Sequence, residues 1–171
     1  MPKNIRPIRV EGNFAYVTLT QGYVAKIDAV SVKLVEGRNW CARVKKRADG
    51  SVRSVYPVTR IDGKSVAMHN ILMSPQDGMV VDHVDCDGLN NTLQNMRIAT
   101  IKENTRNSRT YVNSTTGVKG VHFNKQDKVW QAHIRLNGKR IHLGSFRSLD
   151  EAKEKYRIES KKMFGDFART L

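Results

Sequence analysis

The chain has 171 residues, with 30 lysines and arginines against 16 aspartates and glutamates and a formal charge of +14, which suits one or two small domains and calls for an anionic partner. No apolar run approaches the roughly 20 residues of a membrane-spanning helix, and the opening MPKNIRPIRV has no signal-peptide apolar region, so no membrane partner is expected and the expected location is the cytoplasm. The two cysteines, Cys41 and Cys86, form no Cys-x-x-Cys pair, which argues against a disulfide framework and a structural zinc site.

The charge is unevenly spread: residues 1–60 carry +8, residues 61–112 carry −1 and residues 113–171 carry +7. A passive polyphosphate binder has no need of a neutral, carboxylate-bearing middle, whereas a nuclease must hold a divalent cation there while its flanks neutralise phosphates.

In chain order, residues 14–34 read as strands, with Ala15, Val17 and Leu19 alternating against Tyr16 and Thr18, a turn near Gln21-Gly22 and an extended run from Val24 to Ile27. Trp40, Ala42 and Val44 then alternate with Cys41, Arg43 and Lys45; Lys46 to Gly50 turns the chain back into Val52 to Thr59, and Asp62-Gly63 marks another hairpin. The first third is therefore expected to form a twisted antiparallel sheet. Arg43, Lys45, Lys46, Arg47 and Arg53 would line its outer face or tip as phosphate contacts, unless they only protect a solvated edge.

Val80-Val81 leads into Asp82-His83, a polar loop crosses to Asn90-Asn91, and Asn95 to Ile98 leads into Thr100-Ile101-Lys102-Glu103, which has the spacing of a helix capping box and is followed by Asn104. Strand, loop, strand and helix in this order predict a ββα clamp at about residues 68–108. It would set a strand-end carboxylate against a helix amide across a cation-sized gap, with the adjacent histidine kept off the metal as a base. Asp85, Asp87 and Gly88 mimic part of an EF-hand loop, but His83 would fall at its first ligand and Gln94 at its obligatory glutamate. Residues 105–116 are polar and aperiodic, which predicts a linker or strap and a domain boundary near 113.

Beyond it, Val118 to Asn124, Val129 to Leu136, the turn Asn137-Gly138 and Arg140 to Phe146 predict three strands. A helix from Ser148 to Phe164 follows, capped by Ser148 and Glu151 and stopped at Gly165. The expected core takes Val121, Phe123, Trp130, Ala132, Ile134, Ile141 and Leu143 from one sheet face.

The runs MHNILM, VDHVDCDGLNNTLQNMRIAT and ENTRN resemble the His-Asn-His (HNH) endonucleases of phages and phage introns, whose pattern runs roughly Met-His, Asp-His-x-Asp-Gly, Asn-Asn, Leu-x-Asn-Leu-Arg and Glu-Asn-x-x-Asn. FAYVTLTQGYVAKID resembles the sheet that precedes the motif in those enzymes. The resemblance implies Asp82 and Asn104 as ligands of magnesium or manganese, His83 as general base, and Asn95 as the residue that holds the loop so that His83 keeps its orientation. Asn104 in the last position makes this the His-Asn-Asn variant. The chain departs from the family at Asn70, where a basic residue is usual, and at Asn90-Asn91-Thr92, where Asp-Asn-Arg is usual. His69 is read as structural or as a phosphate contact.

Residues 117–168 resemble the three-stranded DNA-binding domain of plant ethylene-response (Apetala-type) factors, through Trp130-x-Ala132, Ile134-Arg135, Leu143-Gly144-x-Phe146, Glu151-Ala152 and Phe164-Gly165. In that family the sheet face opposite the helix enters the major groove, which here implies His122, Asn124, Gln131, His133, Arg135, Arg140 and His142 as DNA contacts.

The expectation is thus an α+β chain: an N-terminal antiparallel sheet leading into a ββα-metal nuclease core over residues 1–112, then a small three-stranded sheet with one helix over 113–171. Its expected function is a site-directed, homing-type, nicking endonuclease acting as a monomer on double-stranded DNA, with Mg²⁺ or Mn²⁺ and no small-molecule cofactor. The alternatives are a catalytically inactive DNA-binding regulator of the same fold and, more weakly, an RNA-directed nuclease.

Overall fold

Strand alternation in the N-terminal segment resolves, in the computed structural model, into β1 (Ile8–Glu11), β2 (Phe14–Thr18) and β3 (Val24–Asp28). The structure describes residues 5–108 and 116–169. Ala15, Val17, Ala25 and Ile27 turn one face of β2 and β3 into the core, each at most 1% exposed, as a period of two requires. The expected strands over residues 14–34 stop at Asp28, where a 3-10 turn (Ala29–Ser31) runs into the single turn α1 (Val32–Val35). Ser31 and Val35 are buried and Val32 packs against the core, while Lys33 and Leu34 are exposed; a helix groups residues four apart, whereas a strand would turn Lys33 inward together with Ser31 and Val35.

β4 (Cys41–Lys46), β5 (Val52–Ile61) and β6 (Lys64–Ala67) follow as one antiparallel sheet, and then come α2 (Met68–Met73), β7 (Met79–His83), β8 (Asn90–Asn91), β9 (Met96–Thr100) and α3 (Ile101–Asn107). The first third is therefore two sheets, not the single one expected: β1-β2-β3-β8 and β4-β5-β6. α1 and Trp40 separate them. The Trp40 indole is 1% exposed and donates to Val35 O at 2.9 Å, so it fills the corner and both sheets pack on one core with Leu19, Ala42, Val55 and Met68. β8 adds to β3 in parallel, with Lys26 opposite Asn90 and Ile27 opposite Asn91. That pairing ties the polar loop to the sheet.

The chain divides into two compact units, Met1–Ile101 and Lys102–Leu171. The expected boundary near 113 and most of the expected linker lie outside the described residues, while residues 105–107 of that linker are the last turn of α3. Within the second unit, Lys119 Nζ donates to Thr105 O at 3.0 Å and Arg106 O at 2.9 Å, satisfying carbonyls at the helix end.

β10 (Val121–Asn124), β11 (Val129–Leu136) and β12 (Lys139–Phe146) form an antiparallel sheet under α4 (Leu149–Phe164). Asn137 (φ 50°) and Gly138 (φ 80°) make the turn between β11 and β12, the conformation for which Asn-Gly is preferred. Both arms of the Ser148–Glu151 capping box are present. Val121, Ala132, Ile134, Ala152 and Tyr156 form the core, with Trp130, Ile141 and Leu143 packed against it. Phe123, expected in that core, is 40% exposed and packs its ring on Trp130 at 4.9 Å.

Candidate active site

Consecutive residues of a strand point to opposite sides, so the last two residues of β7 serve different surroundings. Asp82 is 3% exposed and pairs with Arg97, its register partner on β9. Arg97 Nε and Nη2 donate to Asp82 Oδ2 at 2.8 and 2.6 Å, short bonds of the charge-assisted kind. His83 is 6% exposed, and its Nε2 lies 3.2 Å from Asn91 Oδ1. Because Asn91 Nδ2 donates to Gly88 O at 3.1 Å, the amide's orientation is set and Oδ1 must accept. The imidazole proton is thereby assigned to Nε2 and the lone pair to Nδ1. Burial pushes the His83 pKa below the ordinary histidine value, against the Asn91 hydrogen bond and the carboxylates of Asp85, Asp82 and Asp87, which pull it up. The ring is accordingly neutral at pH 7, as a base must be.

A second imidazole lies against the first. His69 of α2 meets His83 edge-on, with ring centroids 5.2 Å apart, and meets Tyr56 of β5 at 5.7 Å; Tyr56 and His83 are 6.1 Å apart. His69 Nδ1 is buried and has no hydrogen-bond partner among the described residues. Burial, then the neighbouring His83 and Arg43, hold His69 down to a pKa of about 4.

The loop between β7 and β8 is built around Asp85. Its backbone N–H donates to Asn95 Oδ1 at 3.1 Å, and its carboxylate accepts from Asn95 Nδ2 (2.9 Å), Asn90 Nδ2 (2.8 Å) and Asp87 N (2.8 Å). Burial works to raise the Asp85 pKa, but the Asp87 amide, the two asparagine amides and His83 together hold it below the usual value. Asn95 also donates to Asn90 O at 2.8 Å, so its whole amide is spent on the loop. Gly88 closes that loop onto β5: a Cβ there would lie 2.4 Å from Val55 O and 2.5 Å from the Tyr56 ring, which only glycine avoids.

Asn104 lies in α3, within the unit Lys102–Leu171. Among the described residues no group of three or more His, Cys, Asp and Glu side chains gathers that could hold a metal.

Of the expected phosphate contacts on the ribbon, Arg43 bonds to Ser65 Oγ, and Lys45 Nζ stands 5.8 Å from the centroid of the Tyr56 ring. Lys46 and Arg53 are exposed, while Arg47 is tied into its own hairpin through Ser51 Oγ (3.1 Å) and Val52 O (2.7 Å). On the C-terminal sheet His122 faces Gln131, His133 faces His142 and Arg135 faces Arg140 in register, with a bulge between Ala132 and His133. The three histidines form one row: His133 stacks on His122 at 5.2 Å and lies 4.7 Å from His142. Arg140 Nη2 is 3.1 Å from His133 Nδ1; a guanidinium only donates, so His133 Nε2 donates to His142 Nδ1 at 3.0 Å. Burial, then Arg140, His142 and His122, bring His133 to a pKa of about 4. Asn124 turns its amide into the β10–β11 turn, bonding Asp127 Oδ2 at 2.7 Å.

Three residues of the site carried no assignment from the sequence. Asn91 holds His83, Arg97 holds Asp82, and Tyr56 packs on both histidines. Asn91 and Arg97 lie inside the recognisable motif and could have been found there. Nothing in the sequence links Tyr56 to residues 69 and 83.

Residues 73–106 match the HNH endonuclease family. The chain is 34% identical over 92 residues to Protein 3.8 of Escherichia phage T7, covering 54% of this chain and 75% of that protein. It is 30% identical over 123 residues to Uncharacterized HNH endonuclease L560 of Acanthamoeba polyphaga mimivirus, covering 68% of this chain and 62% of that protein. No solved structure matches the chain.

Proposed function

Because the chain belongs to the HNH endonuclease family, we propose that it hydrolyses phosphodiester bonds of duplex DNA with the help of a divalent cation and with His83 as general base. One observation carries this reading: a buried neutral imidazole whose Nε2 proton is committed to Asn91, one residue from a buried carboxylate. Asp82 and Asn104 offer a carboxylate and an amide oxygen, hard donors that suit Mg²⁺ or Mn²⁺, and Asp82 would share its carboxylate between the cation and Arg97. When bound, the cation would polarise the phosphate and stabilise the leaving oxygen. His83 Nδ1 takes a proton from water, Asn91 keeps the ring turned toward the strand to be cut, and Asn95 holds the loop that carries both. His69, whose buried Nδ1 has no hydrogen-bond partner among the described residues, packs edge-on against the His83 ring and holds it in place. The products are 3′-hydroxyl and 5′-phosphate ends.

The finer features are proposals of the same kind. The nuclease domain would run over residues 1–112, since the family match at 73–106 crosses into α3. Residues 113–171 would be an Apetala-type module presenting His122, Gln131, His133, Arg135, Arg140 and His142 to the major groove, with Asn124 at its margin. A single such centre in a monomer nicks one strand, and a separate DNA-reading module suits a site-directed, homing-type enzyme of a phage or its host's cytoplasm. No helix among the described residues is long and apolar enough to cross a membrane.

A DNA-binding regulator with an idle centre is favoured by one observation, the two Arg97 N–H bonds that Asp82 already accepts. End-labelled duplexes separate the two readings. Cleavage in Mg²⁺ that EDTA abolishes, leaving ligatable 5′-phosphate ends, is the expected result; binding without cleavage in Mg²⁺ and in Mn²⁺ would favour the regulator.

A further inference from the structure

The outer face of the β4–β5–β6 sheet opens into a pocket of about 540 Å³ whose lining includes Arg6, Arg38, Arg60, Asn39, Cys41 and Ser65. We infer that this pocket is an anion subsite that takes a backbone phosphate of bound DNA, a few nucleotides from the bond to be cut; the inference rests on the nuclease reading above.

No carboxylate lines the pocket, and none of its three arginines forms an ion pair among the described residues. Two of them are held by neutral oxygens. Arg6 Nη1 donates to Asn39 Oδ1 at 2.6 Å and Trp40 O at 3.0 Å, and Arg38 Nη1 donates to Leu34 O at 2.8 Å. Those bonds orient the guanidiniums without neutralising them. Three like charges facing one concavity repel each other until an anion enters, and guanidinium matches phosphate oxygens with paired donors.

The pocket continues the face that carries the active site. Tyr56, Val58 and Arg60 alternate onto one side of β5, with Arg43 opposite Tyr56, Cys41 opposite Val58 and Ser65 opposite Arg60. Tyr56 packs on His69 and His83. Four residues of strand separate Tyr56 from Arg60, about 13 Å, which corresponds to roughly four nucleotides of duplex rise. Lys45 lies beyond Tyr56 in the other direction, opposite Ser54. A strand laid along this face would meet a positive charge on each side of the histidine pair.

Arg60 is exposed, so Arg60→Ala leaves the core untouched and tests the subsite cleanly. Binding to duplex DNA is measured without metal across a salt series. Arg60→Ala should weaken affinity several-fold at every sequence and reduce the slope of log affinity against log salt by about 0.9, the value for one phosphate contact. The exposed thiol of Cys41 gives a second readout: duplex DNA should slow its alkylation by iodoacetamide, and Arg60→Ala should weaken that protection. Wild-type affinity and slope in Arg60→Ala overturn the inference, as does a Cys41 that DNA fails to protect. Inorganic phosphate protecting Cys41 as well as DNA does would also overturn it, in favour of a small-anion site. Neither readout needs cleavage, so their failure overturns the subsite alone, and loss of cleavage with both intact overturns the nuclease reading alone.

Discussion

His83 draws its chemistry from its neighbours, because Asn91 decides which nitrogen carries the proton and burial decides that the other carries none. His83→Ala should lower the cleavage rate by roughly 10²–10⁴-fold, the usual worth of a positioned base, with DNA affinity within twofold of wild type in a binding assay. His69 makes a different prediction. Its folded pKa of about 4 lies below the ordinary 6.5, so between those values the unfolded chain binds more protons and stability falls as the pH drops. The loss is up to about 3 kcal/mol across that window. Urea midpoints at pH 7 and pH 5 should therefore differ more for wild type than for His69→Phe, which keeps the ring packing and removes the titration; equal differences would contradict it. Asp82, His83, Asn95 and Asn104 were legible as candidates because their types and spacing form a motif. Their partners were not. That Arg97 faces Asp82 follows from strand register, and that His69 Nδ1 has no hydrogen-bond partner among the described residues follows from packing, and neither is written in local sequence.

The loop between β7 and β8 shows how an element fixes a site. It is pinned by Asp85 and Asn95 from within and by the approach of Gly88 to β5 from without. Gly88→Ala should cost about 1–3 kcal/mol, the range for overpacking a closed contact, and should lower cleavage as the loop lifts His83 away from Asn91. A variant as stable and as active as wild type would refute this account of the loop. In the C-terminal unit, Ser148→Ala removes one arm of a formed capping box and should cost about 1 kcal/mol, readable as a lower urea midpoint for that unit. Such caps and the Asn137-Gly138 turn were legible because they depend on contacts a few residues apart. The helical turn over residues 29–35 and the division of the first third into two sheets were not. Both depend on Trp40 filling a corner between strands, a tertiary demand that overrides local alternation.

Across the whole molecule, the five histidines fall into two groups, His69 with His83 and His122 with His133 and His142, and the positive charge falls on the two segments that flank the carboxylate-bearing middle. Charge patterning leads to the expectation of a basic ribbon and a basic module around a neutral, carboxylate-bearing middle, but not to the arginine pocket, whose members come from residues 6, 38 and 60. Plasmid cleavage tests the proposed roles of Asp82 and His83 most directly. Supercoiled plasmid incubated with Mg²⁺ and the full chain should relax to nicked circles, while Asp82→Ala and His83→Ala bind the same plasmid and leave it supercoiled. Plasmid left intact by wild type in Mg²⁺ and in Mn²⁺, or cut equally well by either variant, would contradict those roles.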